Sequence, residues 1–183
     1  MNLDFPALPD LLALAAKLPT REFVQRFPHH CLITETVGSA MGAPDRLFKT
    51  TEIGAFKASQ QRGVLGVAPV VKREGVNPYT SMITLGRARN NDVPITDISV
   101  SKLHAWSRRG DNGTFHQGDF SITDAGSRNG TFVNGVAVSR EPHPLPVGAR
   151  LRLGLVEFWF VDPAGLHQAL RTAPPLPPSA LSR

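Results

Sequence analysis

Three short stretches of the sequence place hydrogen-bond donors where strands are expected to end. They read TLGRARNND from Thr84, SKLH from Ser101 and DAGSRNGTFVNG from Asp124. The first carries a guanidinium beside a glycine, the second a hydroxyl three residues before an imidazole, and the third a carboxamide beside a glycine. A planar guanidinium grips two phosphate oxygens at once, and hydroxyl and amide groups supply further donors. If the three stretches meet, they can receive a doubly charged phosphate ester.

The segment from residue 64 to residue 162 has the two-residue period of β-strands. Its apolar pieces, such as SMITL, FSIT and VEFWFV, are short and separated by glycine, asparagine, aspartate and proline. This spacing is typical of a sandwich or barrel. In one piece, Leu151 and Leu153 are expected to face the core, with the neighbouring arginines in water. Asparagine-glycine pairs predict hairpin turns at residues 111–113 and 133–135.

Together these motifs resemble the signature of the forkhead-associated (FHA) domain, a phosphothreonine-binding module. The resemblance rests on Gly86-Arg87, on Ser101-x-x-His104 and on the GSRNGT run that begins at Gly126. It implies an all-β fold, an FHA-type antiparallel β-sandwich of about 11 strands, preceded by a short helical N-terminal extension.

The resemblance also implies roles for individual residues. Some would bind the phosphate, some the peptide around it, and some would hold the loops in shape. The phosphate group would be bound by Arg87, Ser101 and Lys102, the peptide by Asn129 and Arg128, and the loop structure would depend on Gly86, His104 and Gly130. A carboxamide suits the peptide role, because it both donates to and accepts from a backbone.

Each of these residues also has an ordinary structural explanation. The glycines and Asn129 suit turns, Ser101 suits a cap, and Arg128 suits exposure to solvent. His104, close to a serine, resembles half of a catalytic pair, whereas the family implies that it braces the loops. Arg87 is the residue that turn formation explains least.

Residues 1–63 are predicted to form an N-terminal extension. Asp10 is expected to cap a helix over residues 11–18, and Thr20 to cap a second one over residues 21–26. The CLITETV stretch that follows indicates a strand. Residues 38–62 have no clean period, which favours a loop with one strand near residues 47–50.

Residues 64–162 are predicted to form the sandwich, and residues 163–183 a proline-rich, mobile tail. The APPLPP run in that tail cannot hydrogen-bond into a sheet, so an extended conformation is expected.

Charge and cysteine content limit the partners and the compartment. The net charge of +5 is spread along the 183 residues with acids among the bases, and the sequence has no basic stripe of the kind that binds nucleic acid. The single cysteine, Cys31, excludes an internal disulfide. No export signal and no apolar run long enough to cross a membrane are present, so a cytoplasmic protein is expected.

The sequence contains none of the common catalytic or metal-binding motifs. It has no nucleophile elbow, no phosphate-gripping Gly-x-x-x-x-Gly-Lys loop and no His-Glu-x-x-His helix. The HHC run at residues 29–31 has no chelating partner cluster, so neither a metal nor another cofactor is expected.

The function expected from these features is non-catalytic. The protein would recognise phosphothreonine in a partner protein within a Ser/Thr kinase pathway, where the partner is the kinase or its substrate. An alternative is a scaffold that binds its partner without reading a phosphate. Phosphatase treatment of the partner would abolish binding in the first case and leave it intact in the second.

Overall fold

A computed structural model describes residues 5–36, 64–110 and 119–172. They form eleven strands and three helices. In chain order these are α1 (Leu8–Lys17), α2 (Thr20–Arg26), β1 (Cys31–Thr36), β2 (Val64–Pro69), β3 (Ile83–Gly86), β4 (Val93–Pro94), β5 (Ala105–Arg109), β6 (Phe120–Asp124), β7 (Thr131–Val133), β8 (Val136–Val138), β9 (His143–Pro144), β10 (Arg150–Leu153), β11 (Val156–Val161) and α3 (Pro163–Thr172).

The strands form two sheets. One has six strands in the order β2-β1-β11-β10-β7-β8, and the other has five in the order β4-β3-β5-β6-β9. The pairs are antiparallel except β3 with β4, which is parallel. The prediction of an all-β sandwich with about eleven strands is therefore confirmed.

The core lies between the sheets and follows strand alternation. Leu151 and Leu153 of β10 are fully buried in it, as predicted, and Phe158 and Phe160 of β11 are buried beside them. Burial of such side chains stabilises the fold by about 1.5–3 kcal/mol each. The predicted hairpin at residues 133–135 is present, with positive φ at Asn134 and Gly135. The hairpin predicted at residues 111–113 lies outside the described residues.

A second apolar cluster covers the outer face of the six-stranded sheet. The three helices contribute its centre, including Leu11, Phe23 and Leu166, while Cys31 and Ile33 of β1 form its floor. Leu32, between them, points into the sandwich core instead. Strand β1 thus serves both cores with alternate residues. Burial raises the pKa of the Cys31 thiol to about 12.

The helices differ from the prediction in where they begin. Helix α1 begins at Leu8 with Pro9 in its first turn, which places Asp10 inside the helix rather than at its cap. Thr20 is likewise the first residue of α2 and not its cap. Its hydroxyl instead hydrogen-bonds the Nδ1 atom of His167 at 3.1 Å.

The prediction that residues 163–183 form an extended tail is wrong for residues 163–172, which form α3. The Asp162 carboxylate caps this helix by accepting the Gly165 N–H at 2.7 Å. Leu166 and Leu170, one turn apart, bury their side chains against the N-terminal helices. Residues 173–183 and the strand predicted near residues 47–50 lie outside the described residues. None of the helices in the described ranges is long and apolar enough to span a membrane.

Candidate functional site

Four connections lie at one end of the sandwich, and three of them hold residues singled out in the sequence. We define loop 1 as residues 87–92 after β3, loop 2 as 95–104 before β5, loop 3 as 125–130 between β6 and β7, and loop 4 as 139–142 after β8. Together their exposed surface is called the rim. Hydrogen bonds described below join loop 1 to loop 2 and loop 2 to loop 3.

Gly86 lets loop 2 pass directly over the end of β3. A Cβ atom at this position would collide with the carbonyl oxygen of Lys102 and lie 3.0 Å from the amide nitrogen of His104. Its φ angle is not in the left-handed region, so the requirement for glycine comes from this close approach.

Loop 1 is hydrogen-bonded to loop 2 along its backbone. The Arg87 N–H donates to the Ser101 carbonyl at 2.9 Å, and the Ala88 N–H to the Lys102 carbonyl at 3.0 Å. The exposed Arg87 side chain uses its Nε–H for the Val100 carbonyl at 3.2 Å. That bond fixes the guanidinium, and its two terminal nitrogens make no hydrogen bond within the described part of the chain.

Asn91 strengthens the same junction. Its side-chain amide donates to the carbonyls of Ala88 and Lys102, at 2.8 and 2.6 Å. Asn91 is buried, so these bonds are made away from water and hold the two loops in one arrangement.

The His104 side chain bridges loops 2 and 3. Its Nδ1 accepts the Ser101 N–H at 3.0 Å, which requires an unprotonated nitrogen, so Nε2 carries the proton and donates to the Gly130 carbonyl at 3.1 Å. Burial lowers the pKa of His104, although the Gly130 carbonyl and the charge of Asp124 act in the opposite direction. The imidazole is therefore neutral and fully engaged with the protein.

Ser101 is bound by a neighbour through each of its polar groups. Besides its backbone bonds to Arg87 and His104, its hydroxyl oxygen accepts the Arg128 N–H at 3.0 Å. No acceptor for the hydroxyl hydrogen is found in the part of the chain that the structure describes. The hydroxyl is thus held in place and remains a donor.

Asn129 is held through one half of its carboxamide. Its Nδ2 donates to the Ser99 carbonyl at 2.7 Å, and the side chain as a whole is exposed. Ser99 is fixed in turn, because its hydroxyl donates to the Asp97 carboxylate and accepts the Leu155 N–H at 3.0 Å. Gly154 allows its own backbone and that of Ser99 to lie close together, since a Cβ at residue 154 would be 2.5 Å from the Ser99 carbonyl oxygen.

The Asp124 carboxylate, at the end of β6, holds loop 3 in one conformation. It accepts the N–H groups of Gly126 and Ser127, both at 2.8 Å, and the hydroxyls of Ser127 and Thr131 at 2.6 and 2.7 Å. Burial alone would raise the pKa of Asp124, but these four donors outweigh it and hold the pKa below its ordinary value. Gly126 and Gly130 both have positive φ, at 82° and 77°.

Asp92 anchors the far end of loop 1 in the same way. Its carboxylate accepts the N–H groups of Arg73 and Thr84, both at 2.8 Å, and pairs with the Lys72 ammonium at 2.9 Å. Burial would raise the pKa of this carboxyl as well, yet its hydrogen bonds hold the pKa below the usual range.

All eight residues singled out in the sequence lie at this one end of the sandwich. Seven of them belong to loops 1 to 3, and Gly86 ends the strand that precedes loop 1. Sequence motifs alone assigned no role to the buried side chains that hold the loops from beneath: Asn91, Asp92, Ser99 and Asp124. Two of these stand in the NND run and one opens the DAGSRNG run, so polar residues beside the motifs were the available signal.

The side chains of His30 and Cys31 in the HHC run lie in different parts of the structure. His30 packs between Phe120 and Phe160, with ring centroids 4.7 and 5.3 Å away, whereas Cys31 points to the helices. Within the described ranges, no group of three or more His, Cys, Asp or Glu side chains is arranged to hold a metal ion.

Comparison with known proteins gives several matches to this chain. A model of the FHA domain matches residues 83–154. The oxoglutarate dehydrogenase inhibitor of Corynebacterium diphtheriae is 35% identical over 129 residues, which are 63% of this chain and 82% of the relative. The protein of the same name from Corynebacterium efficiens is 33% identical over 143 residues, 66% of this chain and 93% of the relative.

Among the solved structures that also match is one with a bound phosphopeptide. It is EmbR of Mycobacterium tuberculosis in complex with a low-affinity phosphopeptide, which is 28% identical, with a TM-score of 0.38 over 45% of this chain and 20% of EmbR.

Proposed function

Since the chain belongs to the FHA-domain family, we propose that it is a non-catalytic module that recognises phosphothreonine in a partner protein. The partner is a Ser/Thr kinase or a substrate of one, and the recognition takes place in the cytoplasm, where such kinases find ATP. The peptide binds at the rim, and no cofactor takes part.

The observation that carries this proposal is the way Ser101 joins three loops. Loop 1 bonds to its carbonyl, His104 accepts from its N–H, and loop 3 donates to its hydroxyl oxygen. The guanidinium of Arg87 and the hydroxyl of Ser101 are therefore held on adjoining backbone segments before a ligand arrives. Donors fixed in advance lose little entropy when they bind a phosphate.

Each of the other polar residues has a part in this proposal. Lys102, exposed beside Ser101, adds positive charge to the phosphate site. Asn129, with one amide N–H committed to Ser99, keeps its carbonyl oxygen and second N–H for the backbone of the peptide. Arg128 contributes its backbone N–H to Ser101 and its side chain to the peptide.

The proposal is tested by titration with phosphopeptides. A library with fixed phosphothreonine and random flanking residues first selects a tight sequence, which is then titrated with and without its phosphate. Arg87→Ala removes charge-assisted hydrogen bonds worth about 1.5–3 kcal/mol each, so affinity for the phosphorylated peptide falls at least about tenfold. Arg87→Lys recovers only part of it, because an ammonium lacks the fork of a guanidinium.

Arg108→Ala is the matched control. Arg108 is an exposed arginine on β5 that stacks over Trp106 at 4.8 Å and lies outside the rim loops. Its loss leaves affinity unchanged. Equal binding of the phosphorylated and unphosphorylated peptides by the unaltered protein would refute the proposal.

The names of the corynebacterial relatives favour a second candidate. They are oxoglutarate dehydrogenase inhibitors, so this chain would bind and inhibit an oxoglutarate dehydrogenase. Such binding needs no phosphate if this chain contacts the folded surface of the enzyme and not a phosphorylated segment. Dehydrogenase activity measured with increasing amounts of this protein, with and without prior phosphatase treatment of the enzyme, separates the two candidates.

A further inference from the structure

The acidic and basic side chains of the rim loops differ in their exposure to solvent. The aspartates at this end are bonded to the protein: Asp92 accepts from Lys72, Arg73 and Thr84, whereas Asp97 and Asp124 accept hydrogen bonds from the loops themselves. The cations stay in solvent, and those exposed on the four loops are Arg87, Arg89, Lys102, Arg128 and Arg140. In the described part of the chain none of these five forms an ion pair with a carboxylate. Glu141 is the exposed acid of the same loops.

This charge exceeds what one phosphate needs. A phosphothreonine carries about −1.5 to −2 charges at neutral pH, which Arg87 and Lys102 balance. Three arginines and one acid, Glu141, remain on the surface that the rest of the peptide would cross, so this surface has a net positive charge. A peptide with a second negative group would therefore complement the rim better than one with a single phosphate.

Arg140 has a defined place in this surface. Its Nη2 atom lies 3.1 Å from where a Cβ of Gly126 would stand, so the guanidinium covers the backbone of loop 3 two residues before Arg128. Loop 4 is held there because the Asp124 N–H donates to the Ser139 carbonyl at 3.0 Å. The Ser139 hydroxyl accepts the Glu141 N–H at the same distance. Asp124 thus holds the backbone of both loops, which carry Arg128 and Arg140.

We propose that Arg140, together with Arg128, forms a second anion subsite that binds a carboxylate or a second phosphate on the same phosphopeptide. The inference rests on the proposed function and narrows its ligand to acidic or doubly phosphorylated segments. The Arg140 guanidinium lies beside the backbone of loop 3, where it can form charge-assisted hydrogen bonds to a carboxylate or a phosphate.

The experiment compares peptides that share one phosphothreonine. One series has neutral flanks, a second moves a single glutamate along the peptide on either side, and a third replaces that glutamate with phosphoserine. Affinities are measured at near-physiological salt for the unaltered protein and for Arg140→Gln, Arg140→Lys and Arg108→Gln, after equal thermal midpoints confirm folding. The unaltered protein binds the best acidic peptide about threefold to fivefold more tightly than the neutral one. The phosphoserine arm shows whether a second phosphate is preferred to a carboxylate.

Arg140→Gln abolishes that gain while its affinity for the neutral phosphopeptide stays the same. Arg140→Lys keeps part of the gain, and Arg108→Gln behaves as the unaltered protein. The inference is overturned if Arg140→Gln weakens neutral and acidic peptides by the same factor, or if neither glutamate nor phosphoserine improves binding at any position. In either case phosphate-dependent binding of the neutral peptide still supports the proposed function. If the neutral phosphopeptide does not bind in a phosphate-dependent way, the proposed function itself has failed.

Discussion

At the scale of single residues, the site consists of groups that are held by one bond and left open at another. Arg87 is fixed through Nε, Ser101 through its hydroxyl oxygen and Asn129 through one amide hydrogen. His104 is the exception, because both of its ring nitrogens are committed to the loops. Its state of protonation therefore acts on the frame of the site rather than on a ligand.

A pH dependence follows from His104. Its pKa in the folded protein lies below the ordinary value of 6.5, so the neutral form is favoured by folding. The stability contributed by the neutral imidazole is fully present above that value and is lost as pH falls through the lower folded pKa. We expect the difference in free energy of unfolding between the unaltered protein and His104→Asn to shrink as pH falls from about 7.5 to about 5.

Urea denaturation at several pH values measures this difference. His29 and His30 also have lowered pKa values through burial, and they are present in both proteins. Their effect cancels in the comparison. A difference that stays constant or grows on acidification contradicts the assignment of a neutral, hydrogen-bonded His104.

At the scale of the elements, the site depends on the strands that carry its loops. The loops connect to β3, β5, β6 and β7 at one end of the sandwich. Strand β3 ends at Gly86 under loop 2, and β6 ends at Asp124 under loop 3. Because β4 runs parallel to β3, both strands finish at the same end of the sandwich. The distance between backbone segments is thus as important here as the identity of the exposed side chains.

Replacement of Gly86 tests that distance. In Gly86→Ala the new methyl group meets backbone atoms of loop 2 that cannot rotate away, so we expect a loss of about 2–4 kcal/mol in stability. Phosphopeptide affinity falls as well, because loop 2 carries Ser101. Denaturation and titration of the same variant measure both effects.

Gly135→Ala provides the control for backbone strain. Gly135 has a φ of 83°, but no atom lies within 4 Å of the position that a methyl group would take there. Its replacement therefore costs only about 1 kcal/mol. If the two variants lost equal stability, close approach at Gly86 would not be the reason for its glycine.

At the scale of the whole molecule, two apolar cores share strand β1. The sandwich core takes Leu32, and the helical cluster takes Cys31 and Ile33 on either side of it. The ends of the described chain also meet in that cluster, where the buried His167 ring of α3 hydrogen-bonds Thr20 and the carbonyls of Ala15 and Leu18. The rim loops contribute no residue to the cluster.

Phe23→Ala separates stability from binding. Phe23 is fully buried and packs 4.9 Å from the ring of Phe27 and 4.7 Å from that of His167. Its truncation is expected to cost about 3–5 kcal/mol of stability while phosphopeptide affinity stays the same at a temperature where the protein is folded. Unfolding remains a single transition because β1 belongs to both cores. An early transition confined to the helices, or a loss of affinity, contradicts this arrangement.

Local patterns in the sequence determined the type of fold and the candidate residues. Alternating apolar residues such as Leu151 and Leu153 predicted the strands, and the glycine, arginine, serine and asparagine motifs marked the loops. These features depend on backbone preference and side-chain chemistry within a few residues, which the sequence displays directly. Asp162 before Pro163, with Leu166 and Leu170 one turn apart, offered a similar local signal for α3 that the proline-rich composition of the following segment obscured.

Only the tertiary structure decided which groups support one another. Ser99 meets Leu155 across 56 positions of the chain, and Arg128 meets Ser101 across 27. The roles of Asn91 and Asp124 likewise depend on where neighbouring loops pass, since a buried amide or carboxylate is stable only when the fold brings donors and acceptors to it. No spacing in the sequence specifies those approaches, because they arise from the pairing of strands and the packing of two sheets.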